Sequence, residues 1–275
     1  MLHIITDSSA DIPTTLIEHY NIHVVPLTLH INEQEYEEGV DITPQTFYQL
    51  MFASQELPKT SQPGPLRFAG VFKQFIGTGS TLCFTVSSKL SGSYQSACLG
   101  KELSGNAQVT VFDTLAGSIG HGLQVLKAAE MAMNDISLDK ITAILTSYRQ
   151  EMKFLILLDT LENIVKGGRL SRFQGSLAKL LNIKVILHNV DGNAEILEKL
   201  RGHQHALQRL IELIGERCAD FSDRTIGITH VDNIKDASYL AGEIQKRYRP
   251  KNILINEMGS VIATYAGKAG LIVAF

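Results

Sequence analysis

An α/β fold is what this sequence predicts, and three observations carry the prediction. Short apolar runs alternate along the chain with longer segments whose apolar residues recur at helical spacing. Turns rich in Ser, Thr and Asp recur where an apolar run ends, the pattern of strands feeding helices. A hairpin signature, Asp191-Gly192 between two short runs, sits in the second half. Together they predict two packed α/β domains, residues 1–150 on a mainly parallel sheet and residues 151–275 on a mixed sheet.

Each element follows from its local pattern. "HIITDS" is the first strand and "HVVPLTLHI" the second, both rich in β-branched residues. Phe68, Val71, Phe72, Phe75 and Ile76 share one helical face, and Pro65 suits the first turn of that helix. "TLCFTV" and "QVTVFD" continue the strands, each followed by a polar turn. Beyond residue 150 come "MKFLILLD", the hairpin arms "IKVILH" and "AEILEK", then "TIGITHV", "NILINE" and "LIVAF". Leu207, Leu210, Ile211, Ile214 and Cys218 make a second amphipathic face between them.

Composition narrows the function classes. At 275 residues, 44% hydrophobic and 19% charged, the chain is globular and large enough for a substantial core. A net charge of −3 lacks the basic excess of a nucleic-acid binder. Cys83, Cys98 and Cys218 are odd in number and lack CxxC spacing, so they are expected as reduced thiols and give no disulfide or zinc signature. Asp7 arrives too early for a secretory signal peptide, and no run of apolar residues is long enough to span a membrane. A soluble cytoplasmic protein is the expectation.

The chemistry concentrates in four turns: "TDSSAD", "KTSQPGP", "SSKLSGS" and "DTLAGS". Ligands of open α/β sheets bind beyond strand carboxyl ends, where helix N-termini present free N–H groups and partial positive charge. Hydroxyls add rotatable donors, and Gly92 permits close approach to the backbone. Such a set suits a small flat anion such as a carboxylate. Each turn is equally an ordinary helix N-cap, so capping and ligand binding both stay open here.

Other motifs are mostly negative. "GTGSTL" has Leu82 where a third glycine belongs, "AGKAG" lacks the P-loop pattern, and GxSxG is absent. His203 and His205 form an HxH whose side chains diverge on a helix start, a surface reading rather than a metal site. "KGGRLSR" gathers Lys166, Arg169 and Arg172 without an acid, and "EKLRGHQH" adds Lys199 and Arg201. Two glycines before Arg169 predict a tight turn presenting it to an anionic partner.

In these same stretches the sequence resembles the DegV family. "ITDSSADIP", "KTSQPGP", "SSKLSGSYQSA", "VFDT", "KGGRLSR" and the glycine-bearing C-terminal segment occur in the family's order over nearly the full length. The resemblance implies two α/β domains holding a long-chain fatty acid, with no other cofactor. It further implies a binding subunit that is not itself the catalyst. Such a subunit presents the acid to a separate ATP-dependent fatty acid kinase, whose acyl phosphate feeds phospholipid synthesis, and exchange of the acid at a membrane surface fits that role. By motif position the carboxylate holders are Thr60, Ser61, Ser91 and Gly92, with Tyr265 where the family commonly has histidine and Lys268 at its proline position. Arg169, Arg172 and Arg201 match the positions used toward the kinase. Two other readings compete: a phosphotransferase or hydrolase using the same cleft with Asp7 or His230 as base, and a ligand-sensing regulator that binds a protein through the Arg169 face.

Overall fold

The first half of the chain supplies seven strands and six helices to the computed structural model, which describes residues 1–170 and 183–275. In chain order these are β1 (Leu2–Asp7), α1 (Thr14–His19), β2 (His23–Val25), β3 (Thr28–Ile31), β4 (Gln34–Glu37), α2 (Pro44–Ala53), β5 (Lys59–Ser61), α3 (Pro65–Lys73), β6 (Ser80–Thr85), α4 (Ser93–Ser104), β7 (Val109–Asp113), α5 (Ser118–Met133) and α6 (Leu138–Glu151). There follow β8 (Phe154–Leu158), α7 (Glu162–Lys166), β9 (Ile183–Val190), β10 (Asn193–Arg201), α8 (His203–Arg217), β11 (Thr225–His230), α9 (Ile234–Tyr248), β12 (Asn252–Glu257), α10 (Ser260–Ala266) and β13 (Leu271–Ala274).

The fold class is the expected one. A parallel sheet runs β2-β1-β6-β7, and a mixed sheet runs β10-β9-β8-β13-β11-β12 with β11–β12 as its parallel pair. Asp191 and Gly192 both take positive φ at the turn between β9 and β10, as the hairpin signature requires.

A third, antiparallel sheet, β4-β3-β5, departs from the sequence reading. "HVVPLTLHI" is two strands rather than one: Pro26 carries no N–H for a ladder, and the chain passes from the parallel sheet to the small one around it. β4 reads "QEYE" and β5 only "KTS", so neither shows apolar alternation. Leu29 pairs with Thr60 and Thr28 with Ser61, which fixes where both hydroxyl residues sit. The helical face predicted to reach Ile76 ends sooner, since α3 stops at Lys73 and Ile76 is exposed while Phe68 and Phe72 are buried.

Strand alternation sorts the mixed sheet onto two cores. Leu155 and Leu157 face α8 and α9, meeting Leu207, Leu210 and Leu240. Phe154, Ile156 and Leu158 face the other way, toward Leu27 and Leu29 of the small-sheet region, Phe47 of α2 and Val261 of α10. Residues from both halves of the sequence therefore share one core. Burial on both faces explains why β8 reads as an unbroken apolar run.

Between the parallel and mixed sheets lies α5, buried along most of its length. Its glycines permit that approach: a Cβ on Gly122 would stand 2.4 Å from the Ala10 carbonyl oxygen. Gly→Ala in an exposed helix is favourable by roughly 0.5–1 kcal/mol. At Gly122 the obstacle is backbone, so Gly122→Ala is expected to destabilise by about 1–3 kcal/mol. That corresponds to a Tm lowered by about 2–5 °C, read by thermal denaturation; an unchanged or raised Tm contradicts this packing.

Candidate functional site

Thr60 and Tyr265 meet although 205 positions separate them: their side-chain oxygens are 2.6 Å apart. Thr60 is on β5, held by pairing to β3, and Tyr265 is near the end of α10. Both residues line a cavity of about 380 Å³, within the range of roughly 300–1,000 Å³ usual for small-molecule sites. Its wall is mostly apolar, with Leu27, Phe154, Ile156, Leu158, Val261, Ile262 and Ile272 among the lining residues.

Polar groups gather around the Thr60–Tyr265 contact. Ser61, Gln62, Ser91 and Arg169 also line the cavity. The Ser91 hydroxyl lies 3.0 Å from that of Ser93 and accepts from the Ser93 N–H at 3.3 Å, so it caps α4 while facing the cavity. Gly92 is not among the lining residues but abuts them: a Cβ there would stand 2.2 Å from the Gln62 carboxamide oxygen, which occupies that space. The Arg169 guanidinium stacks over the Tyr265 ring, 5.0 Å from its centroid. Gly167 lies beneath the same ring, where a Cβ would come within 2.5 Å, and Gly168 takes φ +70° to turn the chain toward Arg169. Tyr265 thus sits between the glycine turn and β5.

The other sequence-predicted residues lie elsewhere. Arg201 is exposed at the end of β10 and does not line the cavity. Arg172 lies outside the described residues. His203 pairs with Asp236 at 2.9 Å on the surface. In two of the four polar turns the leading carboxylate is consumed internally: Asp7 accepts from Ser9 and Val86, and Asp113 accepts from the N–H groups of Ser88 and Leu115, while Ser9, Ala116 and Gly117 of the same turns line the cavity. Neither Asp7 nor His230 lines the cavity, and the His230 Nδ1 accepts from the Asn233 N–H. Among the described residues no helix is long and apolar enough to cross a membrane.

Sequence reading missed the group that holds α10. Asp11 accepts from the Gly259 N–H at 2.9 Å, and Glu38 accepts from the Val261 N–H at 2.7 Å. Both carboxyl groups are buried, fed by Ser118 and Ser8 hydroxyls respectively. They satisfy donors at the start of the helix that carries Val261, Ile262 and Tyr265 into the cavity wall. Glu38 follows "QEYE" and looks like one more surface acid, so nothing in its neighbourhood announces burial.

Burial pushes these acids up. Glu38 rises to about 7 and Asp7 to about 6, against the hydrogen bonds that favour their ionised forms; burial and the neighbouring Glu38 raise Asp11 as well. Buried His121, whose Nε2 lies 2.8 Å from the Thr6 hydroxyl, is pushed down to about 3 and stays neutral.

A carboxyl group that holds its proton more tightly when folded contributes stability fully below its unfolded value, and loses that contribution as pH rises through the folded one. For Glu38 the window runs from 4.5 to about 7. Glu38→Gln keeps an acceptor for Val261 and cannot ionise. Its Tm relative to the unsubstituted chain is expected to rise by several degrees between about pH 5 and about pH 8.5; a difference that does not change with pH contradicts the assignment.

Comparison with known proteins gives one family over the whole chain. The family described as "Uncharacterised protein, DegV family" matches residues 1–275. A DegV domain-containing protein of Caldanaerobacter subterraneus subsp. tengcongensis is 32% identical over 265 residues, 96% of this chain and 94% of the relative. Among solved structures, a DegV family protein from Thermus thermophilus described by its fatty acid binding is 29% identical with a TM-score of 0.93, covering 100% of this chain and 99% of its own. DegV from Bacillus subtilis, described as a fatty acid binding protein, is 27% identical with a TM-score of 0.90, covering 99% and 98%.

Proposed function

The chain belongs to the DegV family, and on that premise we propose that it binds a long-chain fatty acid and presents the carboxylate to a separate ATP-dependent kinase. The observation that carries this reading is the cavity: a mostly apolar wall that also carries the paired hydroxyls of Thr60 and Tyr265 together with Ser61 and Ser91. The description of solved relatives as fatty acid binding proteins supports it.

The energetics divide between tail and head. Each buried methylene is worth about 0.8 kcal/mol, so a chain of roughly 16 carbons supplies about 12 kcal/mol before ordering costs. The tail then dominates affinity, and the hydroxyls of Thr60, Ser61, Ser91 and Tyr265 with the backbone near Gly92 need only orient the head. A carboxylate held by such donors stays ionised and remains a nucleophile toward a phosphoryl donor. Attack of its oxygen on the terminal phosphorus of ATP, brought by the kinase, gives an acyl phosphate and releases ADP; this chain supplies position rather than bond making. The acyl phosphate enters phospholipid synthesis, and acid is exchanged at a membrane surface. Arg169, Arg172 and Arg201 are the positions proposed to meet the kinase, with Arg201 the exposed member among the described residues.

Protein purified from a bacterial host is expected to release fatty acid on denaturation, detectable by mass spectrometry. Finding no lipid, together with no binding of added palmitate or oleate, overturns the reading. Thr60→Val combined with Ser91→Ala is expected to weaken acid binding by about 1–3 kcal/mol and to reduce acyl-phosphate formation more than tail binding. Arg201→Glu is expected to leave palmitate affinity unchanged while lowering acyl-phosphate formation with the kinase present; unchanged formation removes Arg201 from the docking face.

A further inference from the structure

Arg169 differs from the other polar groups of the cavity in being a guanidinium cation. It is half-buried, and its guanidinium is fixed on three sides. Nε donates to the Leu90 carbonyl at 3.2 Å, Nη1 donates to the Gly167 carbonyl at 2.6 Å, and the plane lies over the Tyr265 ring. Leu90 immediately precedes Ser91, and Tyr265 touches Thr60. The cation is therefore tied to both halves of the hydroxyl set. Nη2 makes no hydrogen bond among the described residues.

No carboxylate answers this charge. Neither Asp nor Glu lines the cavity among the described residues, Arg169 takes part in none of their ion pairs, and the sequence from 171 to 182 contains no acidic residue. A partly desolvated guanidinium with an N–H edge that no described residue engages, against an apolar cavity, is completed by an anion, and arginine matches the planar carboxylate.

We infer that Arg169 makes this cavity select an ionised head group over a neutral one of equal tail length, in addition to any role toward a partner. The inference rests on the acyl-binding reading above and specifies its head-group chemistry. The hydroxyls of Thr60, Ser91 and Tyr265 can hydrogen-bond a carboxylate, an alcohol or an ester; the cation adds an attraction that only the ionised head group feels.

The test measures equilibrium binding of palmitic acid, hexadecanol and methyl palmitate to the full chain, without any kinase, at a pH where the acid is ionised. The unsubstituted protein is expected to prefer the acid by about tenfold or more. Arg169→Met, which keeps the apolar stem, is expected to retain hexadecanol binding and lose that preference, and Arg169→Lys to restore part of it. An acid-to-alcohol ratio unchanged in Arg169→Met overturns the inference. So does equal affinity of the unsubstituted protein for acid and methyl ester, a result that needs no variant to fold. Binding of none of the three by the unsubstituted protein overturns the acyl-binding reading instead.

Discussion

One hydrogen bond, between Thr60 and Tyr265, depends on nearly everything else in the molecule. Neither residue stands on an element that could hold itself in place. β5 is three residues long and α10 seven, both too short for intrinsic stability. β5 is fixed by pairing with β3, and α10 by the buried carboxyl groups of Asp11 and Glu38 at its start. Those acids come from the first strand–helix turn and from the end of the small sheet, so the small sheet supports both partners of the contact. Ionised carboxylates at this depth cost free energy, which is why burial raises their affinity for protons.

The cavity behind that contact is lined by residues of the mixed sheet, the small-sheet region and α10 together. Phe154, Ile156 and Leu158 point from β8 toward the small-sheet core, while Leu155 and Leu157 are packed by α8 and α9. The first face meets short elements and lines the cavity; the second packs against two long helices. Where hydroxyl donors and one arginine end such a space, a ligand with a long apolar body and a small anionic head matches both regions at once.

The fold class was legible because strands buried on both faces leave apolar runs that no surface segment imitates, as in "FLILL". Hydroxyl-rich turns were legible as a group, yet Asp7 and Asp113 are absorbed into internal caps whereas Thr60 and Ser91 reach the cavity. Telling the two kinds apart needs tertiary position, which turn composition does not encode. The small sheet was illegible because "QEYE" and "KTS" have neither length nor alternation. Glu38 was hidden for a related reason: a glutamate among three other acids or amides looks solvated until the helix it caps is in place. The apolar cavity wall was invisible as a cavity, since Ile156 and Ile272 read as core whether or not anything lies between them.

The proposed ligand has one direction in the cavity: its head group at Thr60 and Tyr265, with the tail leading away along the apolar wall. A crystal structure of the protein with palmitate bound tests this directly. One carboxylate oxygen is expected within hydrogen-bonding distance of the Thr60 hydroxyl, with acyl density running past Ile156 toward Ile272. Density for the chain in the reverse sense, or palmitate bound outside this cavity with the cavity itself filled by side chains, would contradict it.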